Sequence, residues 1–140
     1  MTAHTTTTRL ETNKAVVREY ITELDRGNFE IMDEVFAPDL TFHFPGSPPM
    51  DRQATIDFVK GAYSAFPDLQ HNIEDLIAEG NRIVLRVTAE ATHHGEFLGL
   101  PGTGKRITIS AIAIFRMADG KMAEIWEEAD LAGLTQQITT

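Results

Sequence analysis

Near the C-terminal end of the chain, small residues surround a single acid. In RITISAIAIFRMADGKMAEIWEEAD (Arg106–Asp130), Ala111, Ala113, Ala123 and Ala129 fall in step with Glu127. Side chains alternate between the two faces of a strand. A hairpin closing at Ala118-Asp119-Gly120, with Gly120 as a left-handed bulge, would pair Met117 with Lys121, Ala113 with Ile125 and Ala111 with Glu127. One face then carries Ala111, Ala113, Phe115, Ala123, Ile125, Glu127 and Ala129. Such a face is too small-sided to fill itself. An apolar hollow with one acid in it is the pattern of a small-molecule site. Burial disfavours the charged carboxylate and moves its pKa toward the range of a working general base. Glu127 is therefore the candidate acid/base, with Ala111, Ala113, Phe115 and Ile125 lining the ligand.

Histidines are the other candidates. His93 and His94 are adjacent and must face opposite ways, so they cannot share a metal. His93 is in phase with Ile83, Leu85, Val87, Ala89 and Ala91, which makes it the second catalytic candidate. His43 lies between Phe42 and Phe44 before the turn PGSPP, where His43 and Phe44 are placed to line a pocket mouth. His71 and His4 have no neighbour that gives them a role. Asp130 stands just before Leu131-Ala132-Gly133-Leu134, the position of a helix N-cap. Trp126 falls on the face opposite Glu127. No metal site is expected, because cysteine is absent and the histidines lack ligand spacing. Gly99–Lys105 is glycine-rich but opens no helix, so it does not read as a phosphate cradle.

The elements that must position these groups follow from pattern. Residues 1–12 are threonine-rich and aperiodic and read as a mobile tail, leaving 13–140 as one domain. Val16, Val17, Tyr20, Ile21 and Leu24 mark a helix stopped at Gly27. Asn28 can cap a short second helix, and Asp51 opens a third that ends at Pro67. Four strands follow, over Leu69–Ala78, Ile83–Thr92, Ile107–Met117 and Met122–Ala129. Helices followed by a meander make the fold α+β. Both faces of Ile107–Met117 are substantially apolar, and the helices can cover only one, so a homodimer or homotetramer is expected. The 140 residues carry 21 acidic against 12 basic groups, a net charge of −9, which disfavours nucleic acid and anionic membranes as partners. No apolar run approaches the roughly 18 residues of a membrane span. The N-terminus lacks a signal-peptide core, so a cytoplasmic location is expected.

Several strings resemble one family when taken in order. They are Phe66-Pro67-Asp68, Thr92-His93 with Gly95-Glu96-Phe97, Pro101 with Thr103-Gly104, Phe115-Arg116, Asp119-Gly120-Lys121, Trp126, Asp130 and Gly133-Leu134 before Gln137. Their order and spacing resemble the SnoaL-like polyketide cyclases (ester cyclases) of the NTF2-like superfamily, over nearly all of the chain after residue 12. The resemblance implies a cone, a curved antiparallel sheet wrapped around N-terminal helices. It also implies cofactor- and metal-free aldol-type ring closure on a hydrophobic carbonyl ligand, with a carboxylate acid/base and a nearby histidine. The carboxylate position falls on Glu127, where the family has Asp, while the histidine positions fall on Ala113 and Ile125. Three readings stay open: a cyclase-like lyase or isomerase, an epoxide hydrolase or dehydratase on the same fold, and a non-catalytic ligand-binding module.

Overall fold

The computed structural model describes the backbone of residues 2–140 and the side chains of residues 8–140, so Met1 of the expected tail lies outside the described residues. Helix α1 spans Thr2–Asp25 and therefore starts well before the expected Asn13. No glycine or proline interrupts that stretch, so nothing stops the helix from extending backward. Among the described side chains, the buried face begins at Asn13 and runs through Val17, Tyr20, Ile21 and Leu24. Gly27 ends the helix at φ +85°, and the Asn28 amide reaches back to the Glu23 carbonyl at 2.9 Å, a Schellman-type close.

Helix α2 is a single turn and a half, Ile31–Val35, with Ile31, Met32 and Val35 buried. Asn28 does not cap it by side chain; its amide donates instead to Glu23 Oε2 at 3.0 Å. Strand β1 (Phe36–His43) follows, then α3 (Arg52–Ala65), which Asp51 caps by accepting from the Ala54 amide at 2.9 Å. The chain continues through β2 (Gln70–Glu79), β3 (Arg82–Thr92), β4 (Arg106–Ala118), β5 (Lys121–Ala129) and α4 (Leu131–Thr139). Asp130 caps α4 through the Gly133 amide, as its position implied.

The five strands form one curved, unclosed sheet in the order β1-β5-β4-β3-β2. It is mixed and not wholly antiparallel, because β1 runs parallel to β5. A short isolated strand carries no signal of its partner, and the chain between β1 and β5 is long enough for a parallel return. Pro38 is tolerated because β1 is an edge strand, and its pairing with β5 is interrupted between Phe36 and Thr41. Helix α1 packs on β2 and β3, α3 on β1, and α4 on β4. Ile83, Leu85, Val87, Ala113, Phe115 and Ile125 form the buried sheet face beneath them.

The β4–β5 hairpin differs from expectation in an instructive way. Asp119 and Gly120 both take positive φ (+52° and +77°), and Ala118 pairs with Lys121, so the turn has two residues of the I′ kind. A bulge follows, with Met122 and Ala123 both buried, and beyond it Arg116 pairs with Glu124. Turn and bulge each shift the register by one. Together they restore the expected faces but move the pairs, so that Ala113 lies opposite Glu127 and Ala111 opposite Ala129.

Candidate active site

Two adjoining cavities open between the sheet and the helices. The first has a volume of about 140 Å³ and lies against α1, where Tyr20, Leu24, Ala113, Phe115 and Ile125 line it. The second, about 110 Å³, lies toward α4 and is lined by Phe44, Phe66, Phe97, Ile107, Ala129 and Leu134. Phe58, His71, Ala111 and Glu127 belong to both walls. Neither wall contains a lysine or arginine.

Glu127 therefore stands at the waist between two apolar hollows. It is half-buried and lines both cavities, and it makes no hydrogen bond or ion pair with another described side chain. Burial pushes its carboxyl up to about 7, against a weaker opposing pull from His71. An acid poised near neutrality with no protein partner can both take and return a proton.

His71 is the residue that sequence reading passed over. Its Nδ1 lies 2.8 Å from Asp25 Oδ1, and its backbone amide donates to Asp25 Oδ2 at 2.7 Å. The Tyr63 hydroxyl donates to Asp25 Oδ1 at 2.7 Å. Burial raises the Asp25 carboxyl, but the hydrogen bonds from His71 and Tyr63 outweigh it and hold the group below its ordinary value. An ionised Asp25 fixes the His71 ring through Nδ1, and the ring belongs to both cavity walls. The signal was present: in β2, His71 is in phase with Ile73, and after a register shift the inward set continues at Leu76 and Ala78. Asp25 lies 46 residues away, and no local pattern links the two.

Tyr20 adds a donor. The ring packs with Phe36 and Phe115 at 5.6 and 6.3 Å, while its hydroxyl has no partner among the described residues and reaches the α1-side cavity. Burial first, and then the charge of Glu127, raise its pKa, so it remains a neutral donor. Buried tyrosine hydroxyls usually find a partner. This one has none among the described residues and belongs to the wall of the α1-side cavity.

Other expectations fare unequally. Phe44, Ala111, Ala113, Phe115 and Ile125 line one cavity or both. His93 does not. It is fully buried, but it follows the end of β3, its ring tilted against Phe66 at 5.5 Å and Nδ1 3.1 Å from Thr103 Oγ1. The inward phase was correct, but Ala89 is the last residue of β3 in either wall, and four residues of extended chain beyond it, about 13 Å, carry His93 past both cavities. His93 Nε2 is buried without a partner. His43 is also displaced: β1 pairs it with Trp126, on the face away from Glu127. There it stacks on Trp126 at 5.5 Å and bonds Glu124 Oε2 at 2.7 Å. The strand register decided both outcomes, since His43 lies out of phase with the inward Phe42 and Phe44. Among the described residues, no three histidine, aspartate or glutamate side chains converge as a metal ion would require.

The fold agrees with the comparison to known proteins. A model of the SnoaL-like polyketide cyclase family matches residues 14–138. The chain belongs to that family. Among solved structures, AclR of Streptomyces galilaeus, a candidate hydroxylase, is 28% identical with a TM-score of 0.85, covering 93% of this chain and 97% of its own. A candidate polyketide cyclase of Acidithiobacillus ferrooxidans is 30% identical with a TM-score of 0.81, over 91% and 94% of the two chains. IdmH of Streptomyces antibioticus, a candidate polyketide cyclase, is 25% identical with a TM-score of 0.80, over 91% and 99%. No curated protein matches significantly. Within this SnoaL-like fold, no helix among the described residues is long and apolar enough to cross a membrane.

Proposed function

We propose that this SnoaL-like protein removes a proton next to the carbonyl of a small hydrophobic ligand and carries the enolate into ring closure or isomerisation. The observation that carries this reading is Glu127: one buried carboxyl, raised to about 7, at the waist of two apolar cavities. The Glu127 carboxylate takes the α-proton, and the C–H electron pair moves onto the carbonyl oxygen. The free Tyr20 hydroxyl stabilises that oxygen, and His71, oriented by Asp25, is the second group within the walls able to exchange a proton. Attack of the enolate carbon on a second carbonyl closes a ring, and Glu127 then returns its proton. The candidate cyclase names of IdmH and the Acidithiobacillus protein agree with this chemistry.

The test is hydrogen–deuterium exchange at the acidic carbon of ethyl benzoylacetate in heavy water, followed by proton NMR. The protein should accelerate exchange, and Glu127→Gln should remove about 10²–10⁴-fold of the acceleration. Equal rates with both proteins, while the ester still binds, would replace this reading with a binding module. We also propose that the outer sheet face, with Ile112, Ile114 and Trp126 among charged residues, meets a second copy of the chain.

A further inference from the structure

The position of Glu127 between two cavities, and not at the end of one, restricts what the site can hold. An apolar cavity of about 150 Å³ accommodates one benzene molecule. The α1-side cavity, about 140 Å³, and the α4-side cavity, about 110 Å³, are each of that order. They share Glu127, His71 and five apolar residues, Phe58 and Ala111 among them. Ala111 is small enough to let the two spaces approach, and Ala113 and Ala129 each leave room on one side only. With no lysine or arginine in either wall, a ligand carboxylate or phosphate would lose its hydration and meet only His71, which is already bonded to Asp25. It would also face Glu127.

Resting on the enolising reading above, we propose that the ligand is an uncharged β-dicarbonyl compound with one ring-sized apolar group on each side of its acidic carbon. That carbon lies at the waist against Glu127, and one ring fills each cavity. The carbonyl on the α1 side accepts from Tyr20. The reacting step balances within the site: the C–H bond breaks, Glu127 gains the proton, and the electron pair becomes the enolate. Ligands with a single ring leave one cavity empty and lose its share of apolar burial.

Dibenzoylmethane, with a phenyl ring on each side of a β-dicarbonyl, is the matching probe, and benzoylacetone is its one-ring counterpart. Affinity is measured by fluorescence titration on the intact chain, and exchange of the acidic proton by NMR. Dibenzoylmethane should bind about ten- to a hundredfold more tightly, as burial of a second ring implies. Ala113→Leu fills the α1-side cavity and Ala129→Leu the α4-side cavity, and each should abolish that preference while benzoylacetone still binds. Circular dichroism checks folding, and Ala113→Val takes the place of Ala113→Leu if the larger side chain prevents it. Equal affinities in the unmodified protein, or a preference that survives both substitutions, would overturn the two-cavity proposal. Binding of the benzoylacetate anion as tight as that of its ethyl ester would overturn the requirement for a neutral ligand. The two levels separate cleanly: a preference without exchange leaves the ligand class standing and removes the enolising reading, and exchange without a preference does the reverse.

Discussion

Replacing Glu127 by glutamine tests the site without any substrate, through stability alone. The carboxyl rises from an ordinary 4.5 to about 7 on folding, because burial penalises its charged form. A folded-state pKa above the unfolded one means that the folded chain holds the proton more tightly. The contribution of this group to stability is therefore fully present below about pH 4.5 and is lost as pH rises through 7. At about 1.4 kcal/mol per pKa unit, that loss is about 3 kcal/mol. The amide of the Glu127→Gln variant does not titrate, so the variant should match the parent at pH 4 and exceed it by about that amount at pH 8. In a chain of this length the difference corresponds to roughly 10 °C in melting temperature. His71, Tyr20 and Tyr63 face the same cavities and are common to both proteins, so they largely cancel in the difference. Urea denaturation of both proteins from pH 4 to pH 8 measures it. Parallel stability curves would show that water reaches the carboxyl in the folded state, and the argument for a poised acid would collapse.

Tyr20→Phe should reduce exchange catalysis by about 10²–10³-fold, the worth of one oxyanion donor, with stability unchanged, because the hydroxyl gives up no protein hydrogen bond; unaltered exchange would remove Tyr20 from the mechanism. Asp25→Asn weakens the hydrogen bonds that hold His71 and Tyr63, and should cost about 1–3 kcal/mol in urea unfolding and shift the pH–rate profile, whereas a purely structural role would leave the profile in place. Because Asp25 is held below its ordinary value, its contribution to stability is present above that value and is lost as pH falls through the lowered pKa. Ile112→Glu places a charge on the exposed outer face and should convert a dimer into a monomer in sedimentation, and a parent protein already sedimenting at 15.5 kDa would exclude the interface.

What was legible in the sequence was phase, and what was hidden was distance. The period of α1 placed Val17, Tyr20, Ile21 and Leu24 on the buried face, and local turn chemistry placed Asp51 and Asp130 as caps. Phase also put His93 on the inner side of its strand, where it lies. Position along a strand relative to a cavity depends on where the other elements cross it, and no periodicity records that. The Asp25–His71 pair illustrates the same limit. One partner ends a helix and the other begins a strand, and only the packing of α1 on β2 brings them within 2.8 Å.

The hairpin shows why the site could be read although its register could not. Which face a residue occupies depends on whether the pairing offset is even or odd, and which residue it meets depends on the offset itself. The two-residue turn and the bulge each changed the offset by one, so the face survived and every pair moved. Glu127 kept its alanine surroundings but gained Ala113 as its partner in place of Ala111. That move is the functional difference. Opposite Ala111, a residue common to both cavity walls, the acid would have the Ala113 side of the hollow beyond it. Opposite Ala113, with Ala111 and Ala129 forming the next pair, it has open space on either side and becomes the divider between two ring-sized cavities. The existence of an acid in a hollow thus follows from composition and phase. The place of the acid within it follows from the turn and the bulge together: either shift alone would turn Glu127 to the outer face, and the two in sequence keep it inward and set it opposite Ala113.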